Sequence, residues 1–173
     1  MHRVWNRIFI VASLALGVAA VGQQASASGF SNIGWQSMMG IVQANAVVGS
    51  GTGAVTGGPS PWWSQSGRAN VNPDNGVIHF EVHGLVLAVG NSIGTPGPVL
   101  KVKGTLVCDT DGSATGGNSV LVDTPLVDLD DQGNARFNGV LGPLPAACVS
   151  EPDIAFLVRT STGRWIANGA VLE

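Results

Sequence analysis

The chain has 173 residues, with eight Lys and Arg against eleven Asp and Glu, three His, 25 glycines, two cysteines and no tyrosine. Only 11% of the residues are charged and the Lys and Arg residues are scattered, which excludes nucleic acid and anionic membrane surfaces as natural partners. Glycine at about twice its usual share favours tight turns and short strands over solvated helices.

Reading from the N-terminus, Arg3 and Arg7 precede an apolar run over residues 8–21, and Ala25-Ser26-Ala27 supplies a small-x-small cleavage signal. The run is about fourteen residues, short of the roughly twenty a permanent membrane span needs. The expected product is a signal-peptide helix over residues 1–27, removed to leave a mature protein from Ser28 that is secreted, or periplasmic where the envelope has an outer membrane. No membrane anchor is expected after cleavage. About 146 residues then remain, enough for one domain with a hydrophobic core. Within that domain, residues 28–57 form an N-terminal segment with a first strand and a Gly-rich loop, and residues 58–173 form the main β-sandwich.

Residues 28–43 are ambiguous, since Met38-Met39-Gly40-Ile41-Val42 suits either a strand start or a helical turn. Residues 44–48 read as strand, Gly49-Ser50-Gly51-Thr52-Gly53 breaks it, and Pro59-Ser60-Pro61 stops any helix. Residues 67–71 and 77–87 then make a hairpin around Asn72-Pro73-Asp74-Asn75-Gly76, whose Asn-Gly tolerates positive φ. In the second arm Ile78, Phe80 and Val82 alternate with His79, Glu81 and His83, the two-residue period of a strand with one buried face.

Residues 99–108 repeat that period, with Leu100, Val102, Leu106 and Cys108 on one side and Lys101, Lys103 and Thr105 on the other. A third hairpin is expected to join 120–129 with 135–141 across Asp130 to Asn134, and a fourth to join 154–159 with 165–172 across Thr160 to Gly163. Short strands punctuated by Gly, Pro, Asn and Asp predict an all-β fold, an antiparallel β-sandwich, with a small β-barrel as the alternative.

Cys108 and Cys148 both lie in the exported part, where oxidising conditions convert such a pair to a disulfide. Neither has neighbours that would activate a catalytic thiol.

The sharpest constellation is His79-Phe80-Glu81-Val82-His83. Residues two apart on a strand project from one face about 6.5–7 Å apart, so two imidazoles and a carboxylate could hold a divalent metal ion and polarise a water. The plainer reading is a polar stripe on a half-buried strand. Gly90-Asn91-Ser92-Ile93-Gly94 matches the Gly-x-Ser-x-Gly string of serine hydrolases, but Pro96 and Pro98 forbid the helix that this chemistry needs.

Asp109-Thr110-Asp111-Gly112-Ser113 and Asp128-Leu129-Asp130-Asp131-Gln132-Gly133 resemble fragments of calcium loops without the distal glutamate. As acidic turns they need no ion. Gly49 to Gly53 spaces its glycines as phosphate loops do, yet no lysine or helix follows. Trp62 and Trp63 could stack on sugar rings, whereas Trp165 at a strand start reads as core. The connection 88–98 is the long irregular loop on which recognition would sit.

From about residue 47 to 170 the chain resembles a group of small secreted bacterial proteins of uncharacterised function. The likeness rests on Gly57-Gly58-Pro59 with Pro61-Trp62, Gly67-Arg68-Ala69, Gly84-Leu85-Val86, Gly94-Thr95-Pro96-Gly97-Pro98-Val99, the cysteine pair and Trp165-Ile166-Ala167. It implies a β domain and carries no catalytic residue. The hairpin 69–85 is also similar to chordin-like modules, without their histidine-rich segment after that strand.

The expectation is therefore a secreted, non-catalytic β protein with a structural or binding role at the envelope or outside the cell. The competing functions are a carbohydrate-binding module using Trp62 and Trp63 and a metal-dependent enzyme using His79, Glu81 and His83. No cofactor is expected beyond a weakly held divalent metal ion.

Overall fold

A computed structural model of the chain describes residues 32–150 and 153–171. The leader and cleavage site expected over residues 1–27, and Ser28 itself, lie outside the described residues. In chain order the strands are β1 (Ile33–Gly40), β2 (Val47–Val48), β3 (Val55–Thr56), β4 (Trp62–Trp63), β5 (Ser66–Asn72), β6 (Val77–His83) and β7 (Val86–Leu87). There follow β8 (Lys101–Cys108), β9 (Val120–Asp123), β10 (Val127–Asp128), β11 (Ala135–Val140), a single helical turn α1 (Ala147–Ser150), β12 (Ile154–Thr160) and β13 (Trp165–Val171). The fold is all-β and antiparallel, as the strand periodicity predicts.

Nine strands form one sheet in the order β10-β8-β12-β13-β1-β5-β6-β11, with β9 also paired to β8. This sheet curls into a half-barrel, and its curvature can be read from the core. Phe80 on β6 and Phe156 on β12 have ring centroids 5.7 Å apart although three strands lie between them in the sheet. At about 4.8 Å per strand step a flat sheet would separate them by roughly 19 Å, so the two arms must face each other across a shared interior. Trp35 of β1 packs on Phe156 at 5.5 Å and completes the aromatic centre.

Within the ambiguous segment 28–43, Ile33–Gly40 form β1, hydrogen-bonded between β13 and β5 at the middle of the sheet. Its Trp35 and Met38 are both buried although three residues apart, because the register against β13 shifts between Trp35 and Ser37 and the extra residue resets the alternation. Residues 44–46 do not form strand: Asn45 adopts a φ of 58°, and only Val47 and Val48 pair, with β3.

The hairpin β5–β6 has the expected turn, in which Gly76 takes a φ of 69° and donates its amide to Asn72 O at 2.9 Å. The β12–β13 hairpin also forms as expected, with Gly163 at a φ of 91°.

Two local expectations are corrected. Leu100 precedes β8 and is 70% exposed instead of facing the core. Residues 120–129 and 135–141 do not pair with each other: β9 and β10 bond to β8, whereas β11 bonds to β6. The turn at Asp130 to Asn134 therefore spans the seam between the two ends of the curled sheet. A tight turn reverses the chain in either arrangement, and curvature of the whole sheet decides which neighbours are within reach.

Cys108, at the end of β8, is bonded to Cys148 in α1 with Cα atoms 4.9 Å apart, as expected. The link ties the helical turn to the buried half of β8, where Thr105, Leu106, Val107 and Cys108 are all inaccessible. Both faces of β8 are covered there because the Gly49 to Gly53 loop lies against the side away from the core, with Gly49 close to Val107. That loop is held in place, with Ser50 N donating to Ser119 Oγ at 2.8 Å and Thr52 N to Asn118 Oδ1 at 2.9 Å.

Candidate functional site

An open cleft of about 430 Å³ lies where three connections meet: residues 58–60, the end of the 88–98 loop with Val99, and the turn after β12. Trp62, Leu87, Val99 and Ile166 supply its apolar surface. Ser60, Thr160, Ser161 and Thr162 supply hydroxyl side chains to its lining, and Arg164 is the one ionisable side chain among its lining residues. One Arg164 Nη donates to Gly57 O at 3.0 Å and Asn45 Oδ1 at 3.2 Å, which fixes the guanidinium at the edge of the cleft. The arrangement suits a ligand with an apolar body and polar or anionic substituents.

The tryptophan pair is split by strand geometry. β4 pairs with β7, placing Trp62 opposite Leu87 and Trp63 opposite Val86, and successive side chains of a strand point to opposite faces. Trp62 is 6% exposed and forms part of the cleft, whereas Trp63 is 65% exposed on the surface. The two rings therefore do not form one platform. Trp165 is buried, as its position predicts, and its Nε1 donates to Ala46 O at 3.0 Å.

His79, Glu81 and His83 project from the outer face of β6, while Ile78, Phe80 and Val82 are buried. Cross-strand register then supplies their neighbours. Arg68 on β5 and Arg136 on β11 both lie opposite Glu81, and Asn70 and Asn138 lie opposite His79. Arg68 Nε meets Glu81 Oε1 at 2.8 Å, and His79 Nε2 stands 3.8 Å from Glu81 Oε2. Arginine thus provides the positive charge at Glu81 that a metal ion would supply. Among the described residues, no three of His, Cys, Asp and Glu gather where they could hold a metal ion.

Ser92 lies in a turn and not at a strand-to-helix elbow. Leu87 N donates to Thr95 O and Gly94 N to Leu87 O, both at 2.9 Å, so the chain turns back on itself around the serine. The acidic turn at Asp130 is satisfied from within. Its Oδ1 accepts the amides of Gln132 and Asn134, and Oδ2 accepts Asn134 Nδ2. The Asn134 amide is the largest of the influences that hold the Asp130 carboxyl below the ordinary carboxylate range.

Asp109 differs. It is fully buried, and its Oδ2 accepts from Ala114 N, Thr115 N and Thr115 Oγ1, while Oδ1 has no hydrogen-bond partner.

Sequence reasoning singled out Trp62 and the 88–98 connection but missed the other walls of the cleft. The hydroxyl-rich Thr160-Ser161-Thr162 turn was a local signal; its proximity to Trp62 was not. Arg68 and Arg136 carried no sign of their shared cross-strand neighbour Glu81, because cross-strand register is a long-range property. The chain matches no family model, no curated protein and no solved structure.

Proposed function

We propose that this chain is an exported, non-catalytic binding domain that works at the cell envelope or outside the cell and receives its ligand in the cleft beside Trp62. The observation that carries this reading is the composition of that cleft: an apolar surface, four hydroxyl side chains and one tethered guanidinium. Its lining has neither a carboxylate nor an imidazole to move a proton, which favours binding over acid–base catalysis. The leader-like N-terminus and the cystine support an oxidising destination.

A fluorescent aromatic anion, anilinonaphthalene sulfonate, is a suitable first probe because it combines an apolar body with a negative group. The folded protein should enhance its fluorescence saturably, and Ser161→Trp, at an exposed position lining the cleft, should abolish that enhancement while preserving the unfolding midpoint. Undiminished enhancement in Ser161→Trp would overturn the assignment of the cleft. A sugar-binding role gains its support from the exposed Trp63 ring. Glycan-array binding lost in Trp63→Ala would move the ligand site to that surface.

A further inference from the structure

The cation that lines the cleft is positioned without being neutralised. Arg164 Nη1 donates to Gly57 O at 3.0 Å and to Asn45 Oδ1 at 3.2 Å, and both acceptors are uncharged. Elsewhere Arg68 meets Glu81, Lys101 meets Asp128, and Lys103 and Arg159 share Asp123. Arg164 meets no carboxylate among the described residues, and none of them accepts a hydrogen bond from its Nε or Nη2.

The residue is also held at both ends. Thr160 N donates to Arg164 O at 2.8 Å, which fixes its backbone in the β12–β13 hairpin, while the two Nη1 bonds fix the guanidinium against the wall that carries Gly57. Because the guanidinium is planar, the edge its anchors leave open is determined. With Nη1 turned to Gly57 and Asn45, the edge formed by Nε and Nη2 remains, and its N–H bonds form a parallel fork.

That fork matches a carboxylate, one oxygen to each nitrogen. Charge points to the same group. A carboxylate balances the single positive charge of the lining, whereas a phosphate monoester brings about −1.5 to −2 near neutral pH, more than one arginine offsets. Trp62, Leu87, Val99 and Ile166 line the same cleft, so the rest of the ligand meets apolar surface. A volume of about 430 Å³ lies toward the small end of the range for small-molecule sites, about 300–1,000 Å³.

We propose that the cleft takes a small monocarboxylate, with its two oxygens on Arg164 Nε and Nη2 and its apolar body against Trp62, Leu87, Val99 and Ile166. The inference rests on the cleft being the ligand site and adds the chemical class that this site selects. Its specificity comes from a group oriented before the ligand arrives, so little side-chain ordering opposes binding.

Naphthalene carboxylate and naphthalene carboxamide share a body and differ in charge, and calorimetric titration of each into the disulfide-intact protein provides the test. The carboxylate should bind about tenfold more tightly than the amide, a modest margin because Arg164 is exposed and salt screens its field. Arg164→Gln should bring the two affinities together by weakening the carboxylate, with the amide bound as in the parent. Arg164→Lys keeps the charge without the fork and should give an intermediate ratio. Ser161→Trp should remove binding of both compounds.

Equal affinities in the parent would overturn the carboxylate assignment, and joint loss of both compounds in Ser161→Trp would still leave the cleft as the ligand site. No binding of the carboxylate would overturn it as well, while anilinonaphthalene sulfonate fluorescence separately judges the cleft. A preference for the carboxylate that persists in Ser161→Trp would place its site elsewhere and sink both readings. Should Arg164→Gln fail to fold, Arg164→Lys decides alone, and a ratio equal to the parent's would remove Arg164 from the site.

Discussion

Gly104 on β8 lies directly beneath the Phe80 ring of β6: a Cβ at Gly104 would come within 2.8 Å of Phe80 Cδ1 and 2.6 Å of Phe156 Cζ. The half-barrel closes around these rings only because one strand omits a side chain at that level. Gly104→Ala should destabilise the fold by about 1–3 kcal/mol through overpacking, read as a lowered denaturant midpoint. Phe80→Leu in the same chain should recover part of that loss, so the two changes should be non-additive. Strict additivity would show that the rings do not set the spacing.

The cystine closes a loop with a sequence separation of 40 between its cysteines. Replacing Cys108 and Cys148 together by alanine should cost about 4 kcal/mol in the chain-entropy account, before the lost packing of two buried residues is added. Chemical denaturation of the double variant against the oxidised parent measures it. A midpoint shift worth under about 1 kcal/mol would show that the unfolded chain is already restricted in this region.

Trp62 and Trp63 should respond to truncation in opposite ways. Trp62→Ala removes a ring that is 6% exposed and should destabilise by about 3–5 kcal/mol. Trp63→Ala acts at a ring 65% exposed and should stay within about 0.5 kcal/mol of the parent. Comparable losses in both variants would contradict the strand alternation that points one ring inward and the other outward.

Acid should weaken the fold through a small set of carboxylates. At Asp123 desolvation pushes the carboxyl up, but the hydrogen bonds from Lys103 and Thr105 and the charges of Lys103 and Arg159 outweigh it and hold the group below the ordinary range. Asp109 and Asp130 are lowered as well, chiefly by the Thr115 hydroxyl and the Asn134 amide respectively. A depressed folded-state pKa stabilises fully above the unfolded-state value, about 3.9, and that stabilisation disappears as pH falls through the folded value. The thermal midpoint should therefore be insensitive to these groups between pH 5 and 8, by this argument, and fall below about pH 4. Asp123→Asn should flatten that acid limb. An acid limb of the same steepness in the variant would remove Asp123 from the account.

The strands and two of their hairpins were legible because their causes are local. Asn72 to Gly76 and Thr160 to Gly163 carry turn chemistry, and the flanking alternation states which side chains turn inward. The same local chemistry at Asp130 to Asn134 correctly marks a reversal but cannot say that β10 then joins β8 while β11 joins β6. The site was less legible still. Trp62 belongs to the cleft and Trp63 does not, yet adjacent residues of one type look alike until a strand assigns each a face.

By itself the amino-acid order determined the long strands from β5 onward, the buried alternation of β6 and the cystine partners, since each follows from neighbouring residues or from composition. Only the tertiary structure decided that the sheet curls, that Thr160 and Arg164 approach Trp62, and that two arginines flank Glu81. These relationships join residues far apart along the chain. Their physical origin is the requirement that Trp35, Phe80 and Phe156, on three strands well separated in the sheet, share one interior away from water.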